Sequence, residues 1–258
     1  AGETSSTTKI VLIRHGQTSW NAEQRYQGQL NSPLTKEGRQ QAETVGRRLT
    51  RAGWVFDALI SSDLGRAQET ANLARKHLKG APRIILDPSC RERNYGMWEG
   101  KTKDEVRGIC ADPSVVDDKH TLDLSPDGMG VETRAALQLR AQNFFVNIVR
   151  QHRGKTVCVV THGAFMAEAL KCLLGVTDKV KGRRATLKIA NGCICVLTLE
   201  RDAHEWQIST IGDQAHYEPH YSRYLASPLS LSSLVLGISV GMSASLALVK
   251  LWDKNSAL

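Results

Sequence analysis

Short apolar runs that break off into histidine, serine or glycine recur along this chain. Ile10 to Ile13 is the first, closed by Arg14-His15-Gly16. Four apolar residues are too few for a helix and suit a buried strand, and Gly16 permits the turn that must follow. Residues 1–8 are small and polar and read as a flexible lead-in. From Leu34 the spacing becomes helical: Thr35 caps, Glu37 favours the helix dipole, Ala42, Val45 and Leu49 share a face, and Gly53 is a stop. Val55 to Ile60 predicts a second strand. Ser61-Ser62-Asp63 then caps a helix whose Leu64, Ala67, Ala71, Ala74 and Leu78 point inward as far as Gly80, and Ile84 to Leu86 predicts a third strand.

Thr102-Lys103-Asp104-Glu105 has capping-box spacing and opens a short helix. Residues 111–130 lack periodicity and read as a lid-like excursion. A long helix is expected from Val131 to about Arg150, with Ala135, Leu139, Phe145, Ile148 and Val149 on its apolar face. Thr156 to Thr161 is the most continuous strand signal, and His162-Gly163 follows it directly. Ala164 to Leu174 reads as a helix stopped by Gly175. Residues 186–199 predict a hairpin around Asn191-Gly192, Glu205 to Ile211 a last strand, and Asp213 to Tyr217 the close of the domain.

Composition narrows the class. The chain has 258 residues, 41% hydrophobic and 23% charged, enough for one globular domain and an appendage. A formal charge of +8 without a dense Lys/Arg block or interleaved aromatics argues against nucleic acid and leaves an anionic surface or substrate. The six cysteines form no CxxC pair and mostly sit in apolar runs, so they read as reduced, packed thiols of an intracellular protein rather than metal ligands. The chain starts at Ala1 rather than methionine, which fits loss of an initiator or targeting segment.

In an α/β protein the carboxyl ends of strands bind ligands, so His15, with Arg14 beside it, stands at a site mouth. A histidine there can be a general base, a metal ligand or a nucleophile. Arg66 lies in the first turn of a helix directly after a strand, where anions bind, although a solvated helix arginine has the same signature. The loop from Cys90 to Gly100 holds two carboxylates, Glu92 and Glu99, and two arginines, Arg91 and Arg93. The segments RHGQTSWN, RYQGQLNSPLTKEGRQQA, SSDLGRAQETA, RERNYGMWEG and THGAFMAEALKCLLG, in this order over about residues 9–217, resemble the histidine phosphatase superfamily, the phosphoglycerate mutase-like proteins.

That resemblance implies an α/β fold with a mostly parallel sheet flanked by helices on both faces. It implies that His15 becomes phosphohistidine, that Arg14, Arg66 and a protonated His162 hold the phosphoryl oxygens, and that Glu92 is the proton donor and acceptor. It puts Glu92 ahead of Glu99. Asn21, Gln27, Gly28, Arg93 and Tyr95 match substrate-binding positions, with loop-tying amides as the other reading of Asn21 and Gln27. No metal or cofactor is implied, because the protein supplies the cations. Asn31 stands where an Asp is usual, and Asp127-Gly128-Met129-Gly130 replaces a GES-type turn, which bears on substrate orientation.

The 69 residues between Glu92 and His162 lack the arginine pair and proline-rich insertion of glycolytic mutases, which favours hydrolysis of a phosphorylated small molecule or phosphoprotein over mutase-type transfer. Leu225 to Val249 has no charged residue for 25 positions. Ser233, Gly237, Gly241 and Ser245 form a small-residue stripe suited to helix packing in a bilayer. The segment predicts a C-terminal transmembrane helix, with a buried or amphipathic helix as the other reading. The expected organisation is lead-in 1–8, phosphatase domain 9–217, linker 218–228, anchor 229–249 and polar tail 250–258, in a mitochondrial or endoplasmic-reticulum membrane. Such an anchor also admits an accessory or scaffold subunit built on the same fold.

Overall fold

A computed structural model describes residues 7–109, 130–176, 179–180, 183–184, 187–200 and 206–214. The excursion at 111–129, the linker, the anchor and the tail lie outside these residues, as does Cys110. Among the described residues no helix is long and apolar enough to cross a membrane.

One six-stranded sheet carries the molecule: β1 (Thr7–Arg14), β2 (Ala58–Ser61), β3 (Ile84–Leu86), β4 (Thr156–Thr161), β7 (Ile194–Glu200) and β8 (Trp206–Asp213), in the spatial order β3-β2-β4-β1-β7-β8. A two-stranded pair, β5 (Lys179–Val180) and β6 (Arg183–Arg184), stands apart. The pairs β3–β2, β2–β4 and β4–β1 are parallel, whereas β1–β7 and β7–β8 are antiparallel. The sheet is therefore mixed rather than mostly parallel. The cause lies at residues 186–199, where the expected hairpin does not form: the stretch 187–190 is unpaired, and the chain turns at Asn191-Gly192 to run back along β1. The hairpin is instead β7–β8.

Period-two alternation in β1 feeds two cores. Ile10 and Leu12 pack with helices α5 (Arg134–Gln151) and α6 (Gly163–Leu174), while Val11 and Ile13 pack with α2 (Lys36–Arg51) and α3 (Gly65–Arg75). All four are fully buried, so the central strand is apolar on both faces, as a sheet covered on both sides requires. β1 starts at Thr7, inside the stretch expected to be a flexible lead-in, because its edge with β7 extends to Thr7 opposite Glu200.

Two helix expectations shift. Helix α3 ends at Arg75, short of Gly80, although Leu64, Ala67, Ala71, Ala74 and Leu78 are buried as expected. In α5 the buried positions are Leu137, Ala141, Phe144, Phe145, Ile148 and Val149, while Ala135 and Leu139 face solvent. The buried positions keep regular helical spacing from Leu137 to Val149, a face that Ala135 and Leu139 do not share, and Arg140 reaches the carbonyls of the loop at residues 89–92. Two predicted caps hold: Thr35 accepts from Gly38 N–H at 3.0 Å, and Thr102 and Glu105 bond each other's backbone N–H; the N-cap of α3 is Leu64, without a side-chain cap bond, rather than Ser61-Ser62-Asp63.

The loop after β1 docks on α2 backbone to backbone. A Cβ at Gly16 would lie 2.2 Å from Gly38 O, and one at Gly38 would lie 2.0 Å from Gln17 O. Gly38→Ala should thus destabilise the protein by about 1–3 kcal/mol through overpacking, despite alanine's helix propensity advantage of about 1 kcal/mol. Gly108→Ala in α4 (Lys103–Ile109), where a Cβ meets nothing within 4 Å, should be neutral or slightly stabilising. Urea midpoints of the two variants beside the parent check the contrast.

Candidate active site

Register builds the site. β4 lies between β1 and β2, with Arg14 opposite Thr161 and Ser61 opposite Val160. Each ladder runs one residue further: His15 N–H donates to Thr161 O and Ser62 N–H to Val160 O, both at 2.9 Å. Three parallel strands therefore deliver His15, Ser62 and His162 side by side at one edge. The imidazoles of His15 and His162 lie 5.1 Å apart, centroid to centroid, and both residues are buried.

The protonation pattern of His15 follows from its partners. Nδ1 is 2.7 Å from Gly16 O, a carbonyl that only accepts, so Nδ1 carries the proton. Nε2 is left with its lone pair, and Arg66 Nε donates toward it at 3.3 Å. Burial, then the charges of Arg66 and Arg14, hold the imidazole neutral, well below the ordinary value of 6.5. A neutral, buried imidazole with a fixed tautomer is a nucleophile in the right state.

Arg66 is 1% exposed. Its Nη1 donates to Leu30 O at 2.8 Å and its Nη2 to Gly28 O at 2.7 Å. Glu99 stands behind these carbonyls: it accepts Gln29 N–H at 2.8 Å, Leu30 N–H at 3.2 Å and Tyr95 N–H at 3.0 Å. The Gly28–Gln29 peptide thus joins carboxylate to guanidinium, its N–H on Glu99 and its C=O on Arg66. Glu99 ties the loop and holds no position among the reacting groups, which separates it from Glu92. Burial pushes Arg66 down to about 10, so it stays charged at neutral pH. Asn31 Oδ1 accepts Arg66 N–H at 3.1 Å, a task for an oxygen that an amide performs as an aspartate would.

Arg14 donates from Nη1 to Ile189 O at 2.6 Å, and its Nε is buried without a partner. Burial lowers its pKa while Glu92 opposes the shift. A Cβ at Gly163 would lie 3.0 Å from that Nε, which explains the glycine after His162. The stretch 187–190 and the turn after it also hold the nucleophile loop: Gly192 N–H donates to Arg14 O at 3.1 Å and Asn191 Nδ2 to His15 O at 3.1 Å.

Glu92 caps α6. Its Oε1 accepts Phe165 N–H at 3.1 Å and Arg93 N–H at 2.9 Å, and its Oε2 accepts Ala164 N–H at 3.1 Å. The carboxylate is thereby fixed two and three residues beyond His162. Its backbone is held by Arg140, which the sequence reading did not single out. Arg140 pairs bidentately with Glu132 (2.9 and 2.7 Å) and donates to the carbonyls of Ser89, Arg91 and Glu92. A helix arginine with no local partner carries no sequence signal of this kind.

The remaining candidates divide. Asn21 Oδ1 accepts Thr18 N–H at 3.2 Å and Asn191 Nδ2 at 3.1 Å, so this oxygen ties loops together. Gln27 is 7% exposed with its Oε1 unpartnered among the described residues. Gly28 adopts φ +55° and offers its carbonyl to Arg66. Arg93 Nε donates to Glu132 O at 2.8 Å and its guanidinium covers the Tyr95 ring. The Tyr95 ring packs on Tyr26, and burial raises its phenol. Arg91 is engaged by Asp63 rather than the site.

The surroundings of His162 oppose the protonated form that the resemblance implies. Burial, then the charges of Arg66, His15, Arg14 and Arg140, push its pKa well below 6.5. Only an incoming anion can reverse that balance.

The histidine phosphatase superfamily (branch 1) matches residues 10–214 of this sequence. The chain is 33% identical over 210 residues to phosphoglycerate mutase-like protein 4 of Arabidopsis thaliana, covering 81% of this chain and 87% of the relative. Its fold is similar to that of YhfR from Bacillus stearothermophilus, with a TM-score of 0.70 and 32% identity over 81% of this chain and 98% of the other. It is also similar to a phosphoserine phosphatase of Entamoeba histolytica solved with 3-phosphoglyceric acid: TM-score 0.64, 26% identity, 81% and 98% coverage.

The two depressed histidines make a stability prediction. In the unfolded chain they titrate near 6.5, and in the folded protein well below it. Above about pH 6.5 both states are neutral and stability is full; below it the unfolded state binds the extra protons and folding weakens. The thermal midpoint should therefore hold from about pH 8 to 7 and fall between about pH 6.5 and 5. His162→Asn should flatten that slope in calorimetry.

Proposed function

The chain belongs to the histidine phosphatase superfamily (branch 1), and on that premise we propose that it hydrolyses phosphomonoesters through a phosphohistidine on His15. The observation that carries the reading is the fixed tautomer of His15, Nδ1–H on Gly16 O with Nε2 bearing the lone pair. Nε2 attacks phosphorus while the bond to the leaving oxygen breaks, and Glu92, which enters this step protonated, gives that oxygen its proton and becomes the carboxylate. Glu92 then takes a proton from water, the hydroxide oxygen attacks phosphorus, and the phosphorus–nitrogen bond breaks to release orthophosphate. Nδ1 keeps its proton throughout and donates it to Gly16 O. Arg14 and Arg66 face the charge that spreads over the transferring oxygens, each contact worth roughly 2.7–4 kcal/mol of barrier. These side chains supply the positive charge a metal would, so the reaction needs none.

The second reading is mutase-type transfer, favoured by the Glu92-Arg93-Asn94-Tyr95-Gly96 segment and the name of the Arabidopsis relative. Phosphate release by the full chain across a panel of phosphomonoesters, with and without chelator, separates them. The expected result is release that survives chelator and is lost in His15→Ala, with a drop of about a hundredfold or more in Arg66→Ala. Interconversion of phosphoglycerates without net phosphate release would favour the mutase.

The same proposal puts the domain on a membrane through residues 229–249, supported by the 25 uncharged positions of Leu225 to Val249. The protein should stay with membranes in an alkaline carbonate wash and leave them only with detergent. Release by carbonate alone would remove the anchor. An accessory role would show as unchanged complex assembly in His15→Ala.

A further inference from the structure

His162 has two ring nitrogens, and only one has a partner in the protein. Nε2 lies 2.8 Å from Ser62 Oγ, while Nδ1 is buried with none among the described residues. A neutral imidazole carries one proton, and its position decides whether the free nitrogen presents a donor or a lone pair to a bound anion. A lone pair facing a phosphoryl oxygen would repel it.

The hydroxyl of Ser62 holds the answer. Ser62 is 0% exposed, and its Oγ accepts Leu64 N–H at 3.3 Å. A backbone amide can only donate, so the direction of that bond is fixed. A serine hydroxyl has one proton of its own to place, and His162 Nε2 is the acceptor beside it. The opposite arrangement, Nε2–H donating to Ser62, would leave the hydroxyl proton with no acceptor among the described residues, while Nδ1 is unpartnered there in either tautomer. An orphaned hydroxyl proton is costly on a side chain this deeply buried.

We propose that Ser62 is a positioning residue that selects the Nδ1–H tautomer of His162, so that a neutral His162 donates a hydrogen bond to a bound oxyanion. His15 then carries its proton on the same nitrogen, yet turns the other one to the ligand. A carbonyl takes its Nδ1–H and leaves a nucleophilic Nε2; a hydroxyl fills Nε2 of His162 and leaves an electrophilic Nδ1–H. Two imidazoles of one protonation state, 5.1 Å apart, receive opposite roles from what lies behind each. The inference rests on the phosphatase reading for the identity of the anion, and on the hydrogen bonds alone for the tautomer.

The test is two-bond nitrogen–proton correlation NMR of the full chain labelled at its eight histidines, at pH 7.5, with His162 assigned by its loss in His162→Asn. The Nδ1–H pattern is expected in the parent, a shift to Nε2–H or a mixture in Ser62→Ala, and recovery in Ser62→Thr. Inorganic phosphate should bind about tenfold more weakly to Ser62→Ala and within about threefold of the parent in Ser62→Thr. An Nε2–H pattern in the parent overturns the proposal and needs no variant to fold. So does Ser62→Ala with unchanged tautomer and phosphate affinity. A parent that shows the Nδ1–H pattern but no turnover defeats the phosphatase reading and leaves this one standing.

Discussion

A guanidinium sealed from water with no carboxylate on it is the constraint around which this molecule is arranged. Arg66 is stabilised through a peptide: Glu99 accepts Gln29 N–H, and the carbonyl of that same peptide unit faces Arg66. Direct contact with Glu99 would satisfy the arginine and cancel it as an anion clamp. Relayed through a peptide, the charge is stabilised and still open toward His15. The loop at residues 27–31, the turn at 95–100 and the start of α3 are all fixed by this one requirement.

Glu92 is handled differently. Its negative charge rests on the amino end of α6, where the free N–H groups of Ala164 and Phe165 accommodate an anion. Arg140 and Glu132 fix the backbone that carries it. The acid and the cations therefore sit in one pocket on separate supports. This separation leaves the supports of Glu92 and Arg66 independent of each other.

Much of this site is legible in the sequence, because it is made by strand ends. Apolar runs closed by His15, Ser61-Ser62 and His162 predict three parallel strands, and parallel strands ending together bring those residues together. Less legible is whatever depends on a partner far along the chain. Asn191-Gly192 has every local mark of a hairpin turn, yet its task is to brace Arg14 and His15, so the chain before it stays unpaired. The face of α5 is the apolar stripe of Leu137, Ala141, Phe144, Phe145, Ile148 and Val149, which Ala135 and Leu139 do not share, and the reach of Arg140 to the Glu92 loop leaves no mark in that periodicity. Ser62 looks like a helix cap, and only the approach of His162 Nε2 shows its other side.

Gly16 and Gly38 have a consequence for how such a protein can diversify. The loop after β1 meets α2 main chain to main chain at Gly16 and Gly38, with Gln41 Oε1 taking Gln17 N–H beside them, so the placement of His15 on that side depends on few side chains. Sequence drift along the outer face of α2 leaves the reacting frame where it is. Residues of the surrounding loops, such as the exposed Leu30 and Met97, can change freely in size and polarity. A fold so divided can acquire new substrates by altering its rim while the chemistry beneath is inherited intact.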